Sequence, residues 1–555
     1  MSNIAVHFID AGATAATPIG AEVVGSKAAQ LAVMNRLGLP VPPAFVLPTT
    51  LCQPVNRGDT AAISALKDGL RQGIARLEAR TGRRFGDRRN PLLVSVRSGA
   101  AKSMPGMLET ILNVGLNAES LRGLVRLTGN PRLAWDSYRR FIQSYAEVVL
   151  ALPAAPFEAA LTEMIQTEEV VGEAELDGEA LERLTQSYRE IAQHGAKARI
   201  SDDPMEQVVA AALAVYQSWE SPRAQEYRRL NALEGLSGTA VTVQAMVFGN
   251  AGSKSGAGVA FSRNPATGAP GLYVDFLLDA QGEDVVSGRR SPGDAALLTA
   301  RLPRVIGELA AGAKRLEREC GDLQDIEFTV EEGRLYFLQT RSAKRTPRAA
   351  LQCAIDLVHE GIIDAATGLR RVGDIDLVKA GLTRFLERGP AVARAVSASP
   401  GMACGRAVFD SRRAKELAAD GKPVILIRRD ISTEDIAGLA VADGTLTAIG
   451  ARTAHAAVVA RQLGKVCLVA CTALEVEDGA RQCLLAGQPV AEGDWLSLDG
   501  ETGEISLGES RIVSDPPEAA LAEIARWRAM LASSQVEAVP ERRKSESHGQ
   551  PAAAL

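Results

Sequence analysis

The segment Gln324–Arg341 constrains the fold of this chain more than any other, because it alternates on both sides of a turn. Asp325-Ile-Glu327 has period two, so in a strand both carboxylates point to one side. Glu331-Glu-Gly-Arg334 reads as a turn, and the returning run Arg334-Leu-Tyr-Phe-Leu-Gln-Thr-Arg341 sets Gln339 and Arg341 on one face by the same rule. A hairpin therefore gathers two acids, an amide and a guanidinium at one end of a sheet. Two carboxylates on one face suit a shared divalent cation, and the other two groups suit a triphosphate. A half-exposed hairpin with polar residues turned to water fits these four residues at least as well, so the rest of the chain has to decide.

Around that hairpin the patterns predict an α/β multi-domain fold. Residues 1–345 mix helical and strand patterns, with a helical insert over about 130–235 that includes the periodic run Pro204–Tyr216. Strand-like segments dominate from Thr239 to Thr340. Residues 346–394 form a polar helical connector, with a helix over Ala349–Glu360. Residues 395–510 carry short β segments such as Pro423-Val-Ile-Leu-Ile427 between Gly and Asp turns. Residues 511–555 contain an amphipathic helix, Pro517–Ser533, and a charged tail expected to be disordered. There is no convincing internal repeat.

Composition bounds the function classes. With 555 residues, 46% of them hydrophobic and 23% charged, there is room for about two to four domains with full cores. A formal net charge of -5 and the lack of basic blocks interleaved with aromatics argue against nucleic acid. Met1–Gly20 has no basic segment followed by an apolar one, and no apolar run reaches a membrane span, so a soluble, cytoplasmic protein is expected. Seven cysteines without a C-x-x-C pair argue against a disulfide framework. Cys467 and Cys471 lack a second ligand pair for zinc.

Four further features bear on chemistry. His455 lies in Gly450-Ala-Arg-Thr-Ala-His-Ala-Ala-Val-Val-Ala-Arg461, where Thr453 as N-cap and the run that follows put the imidazole in a first helical turn. Unpaired N–H groups and the helix dipole hold a phosphate there, which suits a phosphoryl carrier, although a lone histidine beside apolar residues is commonly structural. Lys27, in Gly25-Ser-Lys-Ala-Ala-Gln-Leu31, opens a helix, where a cation opposes the dipole unless a phosphate joins it. Arg97, in Val94-Ser-Val-Arg-Ser-Gly99, ends an apolar strand and begins a small-residue turn, serving either an anionic ligand or a salt bridge. Gly249-Asn-Ala-Gly-Ser-Lys-Ser-Gly-Ala-Gly258 is glycine-rich enough to close backbone N–H groups over phosphates or to be a flexible hairpin loop. It fits neither the Walker A nor the GxGxxG spacing.

Longer stretches stand in a telling order. They are Gly25–Leu31 with Leu37-Gly-Leu-Pro-Val-Pro-Pro43, Pro91–Gly99 with Ser103-Met-Pro-Gly-Met107, and Trp135-Asp-Ser-Tyr-Arg-Arg-Phe-Ile-Gln143. Then come Gly238-Thr-Ala-Val241, Val243-Gln-Ala-Met-Val-Phe-Gly-Asn250, Gly258-Val-Ala-Phe-Ser-Arg-Asn-Pro265, Ala280-Gln-Gly-Glu-Asp-Val-Val286 and Gln324-Asp-Ile-Glu-Phe-Thr329. The His455 segment and Gly493-Asp-Trp-Leu-Ser-Leu-Asp-Gly500 complete them. Together they resemble the pyruvate phosphate dikinases, within the wider group of phosphoenolpyruvate-utilising dikinases, over about residues 20–508.

The resemblance implies an ATP-grasp nucleotide-binding unit over 1–345 and a swivelling β/α phosphohistidine domain over 395–510. In that family ATP pyrophosphorylates the histidine, and inorganic phosphate removes the outer phosphoryl as pyrophosphate, leaving a phosphohistidine made from the β-phosphate. Carried over by motif, His455 is the phosphorylated nucleophile, and Lys27 and Arg97 contact the nucleotide phosphates. Asp325, Glu327 and Gln339 match the Mg2+ and ATP site, with Arg341 following in the same motif. Gln244, Met246 and Val247 match the segment lining the adenine pocket, and Glu283 lies in a matching active-site stretch.

The chain also departs from the family pattern. The family's third part, a barrel that binds pyruvate or phosphoenolpyruvate, needs roughly 250 residues, whereas 45 follow residue 510. The expectation is therefore a partial reaction, with the acceptor, pyruvate, on a separate barrel subunit. The usual Gly-Gly-Met-Thr-Ser-His is Gly450-Ala-Arg-Thr-Ala-His455 here, so Arg452 adds a charge that either binds phosphate or hinders docking. The usual Gly-Gly-Lys-Gly is Gly25-Ser-Lys-Ala28, which keeps the lysine. Thr453 matches a position at which some relatives are regulated by phosphorylation. The first function class is thus an ATP-dependent phosphotransferase. The second is a nucleotide-binding regulatory or phosphocarrier protein without full turnover, and the third a degenerate homologue.

Overall fold

Continuous apolar runs fix the centre of the first sheet. Ala44–Leu47 and Thr239–Ala245 are buried at every residue, as strands covered on both faces must be. The computed structural model describes residues 5–10, 20–102, 104, 109–195, 199–287, 293–373, 375, 380–431, 435–452, 455–476, 479 and 481–537. It leaves out the side chains of residues 283, 286, 287, 455, 456 and 534–537. The expected N-cap at Thr453 and the expected disorder after residue 537 lie outside the described residues. Among those residues no helix is long and apolar enough to cross a membrane. The chain divides into two units, the first with residues 1–262, 271–343 and 449–455, the second with 263–270, 344–448 and 456–555.

The first unit holds strands β1 His7–Ile9, β2 Ala44–Leu47, β3 Arg84–Phe85, β4 Pro91–Leu92, β5 Val94–Ala100, β6 Thr110–Val114, β7 Thr239–Ala245, β8 Gly256–Arg263, β9 Pro270–Leu278, β10 Gln324–Glu331 and β11 Arg334–Ser342. They build a five-stranded sheet in the order β1-β2-β7-β5-β6 and a four-stranded sheet β11-β10-β8-β9. Helices of the insert cover the first sheet, and three of them start in the same way. Asn130, Asp203 and Ser221 accept backbone N–H groups at the starts of Pro131–Val148, Pro204–Ser218 and Pro222–Leu230, combining a polar cap with proline in the first turn.

The second sheet turns Ile326, Phe328 and Val330 of β10 into a core with Leu31 and Met34 of helix Ala21–Arg36 and Leu309 and Leu316 of helix Pro303–Cys320. The stretch Thr239–Thr340 is less strand-dominated than expected, since it also contains helices Gly282–Ser287, Ala295–Arg301 and Pro303–Cys320. Val305, Leu309, Ala313 and Leu316 recur at helical spacing after Pro303, and that apolar stripe needs a sheet to cover it.

In the second unit, strands Met402–Val408, Val424–Arg428, Gly444–Thr447 and Val466–Val469 run parallel in the middle of an eight-stranded sheet. The helix His455–Leu463 is the crossover between the last two. The connector helices Pro347–His359 and Ala365–Gly373 share a small core with the C-terminal helix Glu518–Glu537, through Leu351, Ile355, Val372, Ile524 and Trp527.

Candidate active site

The site grows from the β10–β11 hairpin. Glu332 and Gly333 take positive φ, 49° and 77°, the two-residue turn that matches strand twist. The register pairs Asp325 with Arg341 and Glu327 with Gln339. After Glu327 it shifts, so that Phe328 faces Phe337 and Leu338 is the extra residue on β11. β10 pairs with β8 without a shift, so Asp325, Glu327, Thr329 and Glu331 share the face opposite Ile326, Phe328 and Val330. The Arg341 Nε donates to Asp325 Oδ2 at 2.8 Å, and Gln339 Nε2 donates to Glu327 Oε1 at 3.3 Å.

Lys27 and Arg97 reach this face from the first sheet's side. The helix carrying Lys27 is broken at Gly25, where φ is 78° and ψ 157°, and a Cβ there would lie 2.1 Å from the Gly99 carbonyl oxygen. Helical turns restart beyond Gly25, which puts Lys27 in a first turn, against the end of β5. Arg97 does not end its strand as expected. It lies inside β5, paired with Thr242 and Thr110, while Ser98–Ala100 go on pairing with Thr239–Val241 of β7.

The electrostatics are unbalanced. Arg97 Nη2 stands 3.9 Å from Glu327 Oε2, and its Nε is buried without a hydrogen-bond partner among the described residues. Lys27 is half-buried and forms no hydrogen bond or ion pair with any described residue. Burial first, then Arg97 and Arg341, push its ammonium down to about 8, and Glu327 opposes them. Three cations, Lys27, Arg97 and Arg341, thus meet two carboxylates, Asp325 and Glu327, a surplus that favours an anionic ligand.

The donor set also fits Mg2+. Among the described residues no group of three or more His, Cys, Asp or Glu is placed to hold a metal ion. Mg2+ does not need one: it is usually bound by one or two carboxylates and completed by substrate phosphates and water. Asp325 and Glu327 would supply those carboxylates.

The segment after β7 has a different character. Gln244 is 2% exposed and donates to the Pro42 carbonyl at 3.3 Å, and Met246 N–H donates to Leu93 at 2.9 Å. The Val247 N–H and C=O have no partner among the described residues. Phe248 N–H donates to Glu331 Oε1 at 3.1 Å.

The glycine-rich run 249–258 does not close over this site. A Cβ at Gly249, Gly256 or Gly258 would collide with Ala280, Phe276 or Phe328, so these three serve close packing, whereas Gly252 has a positive φ and open space around it. The loop joins the hairpin's turn, through Gly333 N–H to Lys254 O at 2.8 Å and Glu332 N–H to Ser255 Oγ at 2.9 Å. That is the end of the hairpin opposite Asp325 and Arg341.

Glu283 lies in helix Gly282–Ser287, its side chain outside the described residues. Its neighbour Asp284 accepts from Arg140 at 2.9 Å, Arg140 also pairs with Asp136 at 3.0 Å, and Asn250 joins Asp136 at 3.0 Å. This buried network ties the helical insert to the Glu283 segment. Sequence reading missed it, although an Asp–Arg pair at i, i+4 was its signal. His455 is the first residue of helix His455–Leu463, with its side chain likewise outside the described residues. Arg452, in the 449–455 segment of the first unit, donates from Nε to Asp275 Oδ1 at 2.8 Å and lies 4.5 Å from the Tyr273 ring centroid. Its charge thus faces a buried carboxylate.

Comparison with known families settles the relationship. The pyruvate phosphate dikinase AMP/ATP-binding domain matches residues 62–306 and 303–361. The chain belongs to the pyruvate phosphate dikinase family. The mobile domain of PEP-utilising enzymes matches residues 420–503, giving the expected order of an α/β nucleotide-binding unit followed by a mobile β/α domain. Within the family, pyruvate, phosphate dikinase of Clostridium symbiosum is 43% identical over 492 residues, 88% of this chain and 56% of the relative. The chloroplastic enzyme of Flaveria pringlei is 42% identical over 499 residues, 89% of this chain and 52% of the relative. Pyruvate, phosphate dikinase 2 of Zea mays is 42% identical over 503 residues, 89% and 56% respectively. The chain spans about half the length of the curated relatives it matches.

Proposed function

We propose that this chain is an ATP-dependent phosphotransferase that phosphorylates its own His455 and passes the phosphoryl group to an acceptor, pyruvate on a separate barrel subunit. The observation that carries the reading is Lys27, a half-buried cation beside Arg97 and Arg341 that forms no hydrogen bond or ion pair with any described residue and has only the Glu327 charge to oppose them. Keeping three cations together costs free energy in the ligand-free protein, and a triphosphate relieves it.

In this reading Lys27, Arg97 and Arg341 bind the phosphates, and Asp325 and Glu327, oriented by Gln339, hold Mg2+. The Val247 N–H and C=O meet the adenine edge, with Gln244 and Met246 fixing the strand end that presents them. Mg2+ supplies charge neutralisation on the triphosphate. A neutral imidazole nitrogen of His455 attacks the β-phosphorus. The N–P bond forms, the bond from the β-phosphorus to the oxygen it shares with the α-phosphorus breaks, and AMP leaves with that oxygen. Inorganic phosphate then attacks the outer phosphorus, pyrophosphate leaves, and the β-phosphoryl stays on the histidine.

The test is AMP release from ATP and Mg2+ in a single turnover, with and without phosphate, for wild type and His455→Ala. The reading expects about one AMP per chain from wild type alone. Tight ATP binding with no AMP above the His455→Ala level would favour a regulatory protein instead.

A further inference from the structure

We infer that Glu331 selects the base, reading the 6-amino edge of adenine beside the Val247 backbone. This rests on the nucleotide reading above and adds a residue to it. The register carries the inference. Asp325, Glu327, Thr329 and Glu331 lie on one face of β10, so about 14 Å separates the Glu327 and Glu331 positions at roughly 3.4 Å per residue. The chemistry of the face changes along that length. At one end stand two carboxylates with Arg341 and Gln339 opposite. In the middle Thr329 has Ala257 on one side and Tyr336 on the other, a neutral floor. At the far end is Glu331, with Arg334 opposite it. Charged, neutral and single-acceptor zones follow the order of triphosphate, sugar with base, and base edge in an extended ATP.

The local bonds point the same way. Glu331 is half-buried, and one oxygen accepts from Phe248 N–H at 3.1 Å, which pins the carboxylate next to Val247. Its second oxygen has no hydrogen-bond donor among the described residues. Burial pushes its carboxyl above the ordinary range and Glu332 adds to that, while Arg83, the Phe248 N–H and Arg334 oppose it. A backbone donor, a backbone acceptor and an extra carboxylate acceptor at one spot match adenine, whose exocyclic amine donates two protons. A 6-oxo purine offers an acceptor there and meets the carboxylate as a repulsive contact.

The experiment measures binding of ATP and ITP to the full chain by calorimetry, for wild type, Glu331→Gln and Glu331→Asp. A glutamine amide can donate to a 6-oxo group, so Glu331→Gln should reduce the preference for ATP over ITP by about tenfold or more, a charge-assisted hydrogen bond's worth. Glu331→Asp keeps the charge but withdraws the oxygen, and should weaken ATP without improving ITP. An ATP-to-ITP ratio unchanged in both variants, with wild-type ATP affinity intact, would overturn the role of Glu331 alone. No ATP binding by wild type would overturn the nucleotide reading and this inference with it.

Discussion

At the scale of single residues, Lys27 makes the sharpest statement. Its folded-state pKa of about 8 lies below the ordinary lysine value, so between that pH and about 10.4 the unfolded chain binds more protons than the folded one. Stability of the ligand-free protein therefore rises with pH through this window, and the cost of the charged lysine is fully present below it. Lys27→Met should raise the melting temperature at pH 7 while weakening ATP binding at least tenfold, which calorimetry with and without nucleotide can check. A bound triphosphate restores the proton, so wild-type ATP affinity should fall as pH rises above about 8, and the variant should lose that slope. Asp325 and Glu327 make a second case. ATP affinity should increase on adding Mg2+ for wild type and change little for Asp325→Asn, whose neutral amide is a poor ligand for a hard cation.

At the scale of elements, what holds the site together is close backbone approach. Gly25 takes a positive φ and sits against Gly99, which lets the Lys27 helix restart over the end of β5. Gly25→Ala should destabilise the protein by about 3 kcal/mol or more, from clash and strain together. Gly38 also has positive φ but open space around it, so Gly38→Ala should cost only about 1 kcal/mol. Chemical denaturation of the two variants separates the effects. The hairpin was legible in sequence because period two and a Glu-Gly turn are local signals, and they put Asp325, Glu327, Gln339 and Arg341 on one face. The extra residue Leu338 was not legible, since only pairing with β10 defines a bulge. Arg97 was misread as a strand end because Ser98-Gly-Ala100 carries no apolar side chain. It is pairing with β7 that extends the strand. The glycines of 249–258 have the composition of a phosphate loop, and only the bulky neighbours Phe276 and Phe328 reveal Gly256 and Gly258 as packing positions.

At the scale of the whole molecule, order along the chain and packing in space diverge. The connector helices and the C-terminal helix lie far apart in sequence, yet Trp527, 4% exposed, fills a core with Leu351 and Val372. Nothing local in either segment announces the other. Trp527→Ala should remove about 3–5 kcal/mol from the second unit while leaving ATP affinity unchanged, visible as a lowered unfolding transition beside an unaltered binding curve. Family membership and the α/β order of domains were legible because long motifs preserve their sequence over most of the chain. Phosphorylation of His455 from ATP can be read on the protein itself. The full chain and His455→Ala are incubated with Mg2+, inorganic phosphate and ATP labelled at the β-phosphate, and protein-bound label is assayed for acid lability and base stability. Wild type should carry acid-labile, base-stable label and the variant none. Equal label on both proteins, or none on either while ATP still binds, would contradict it.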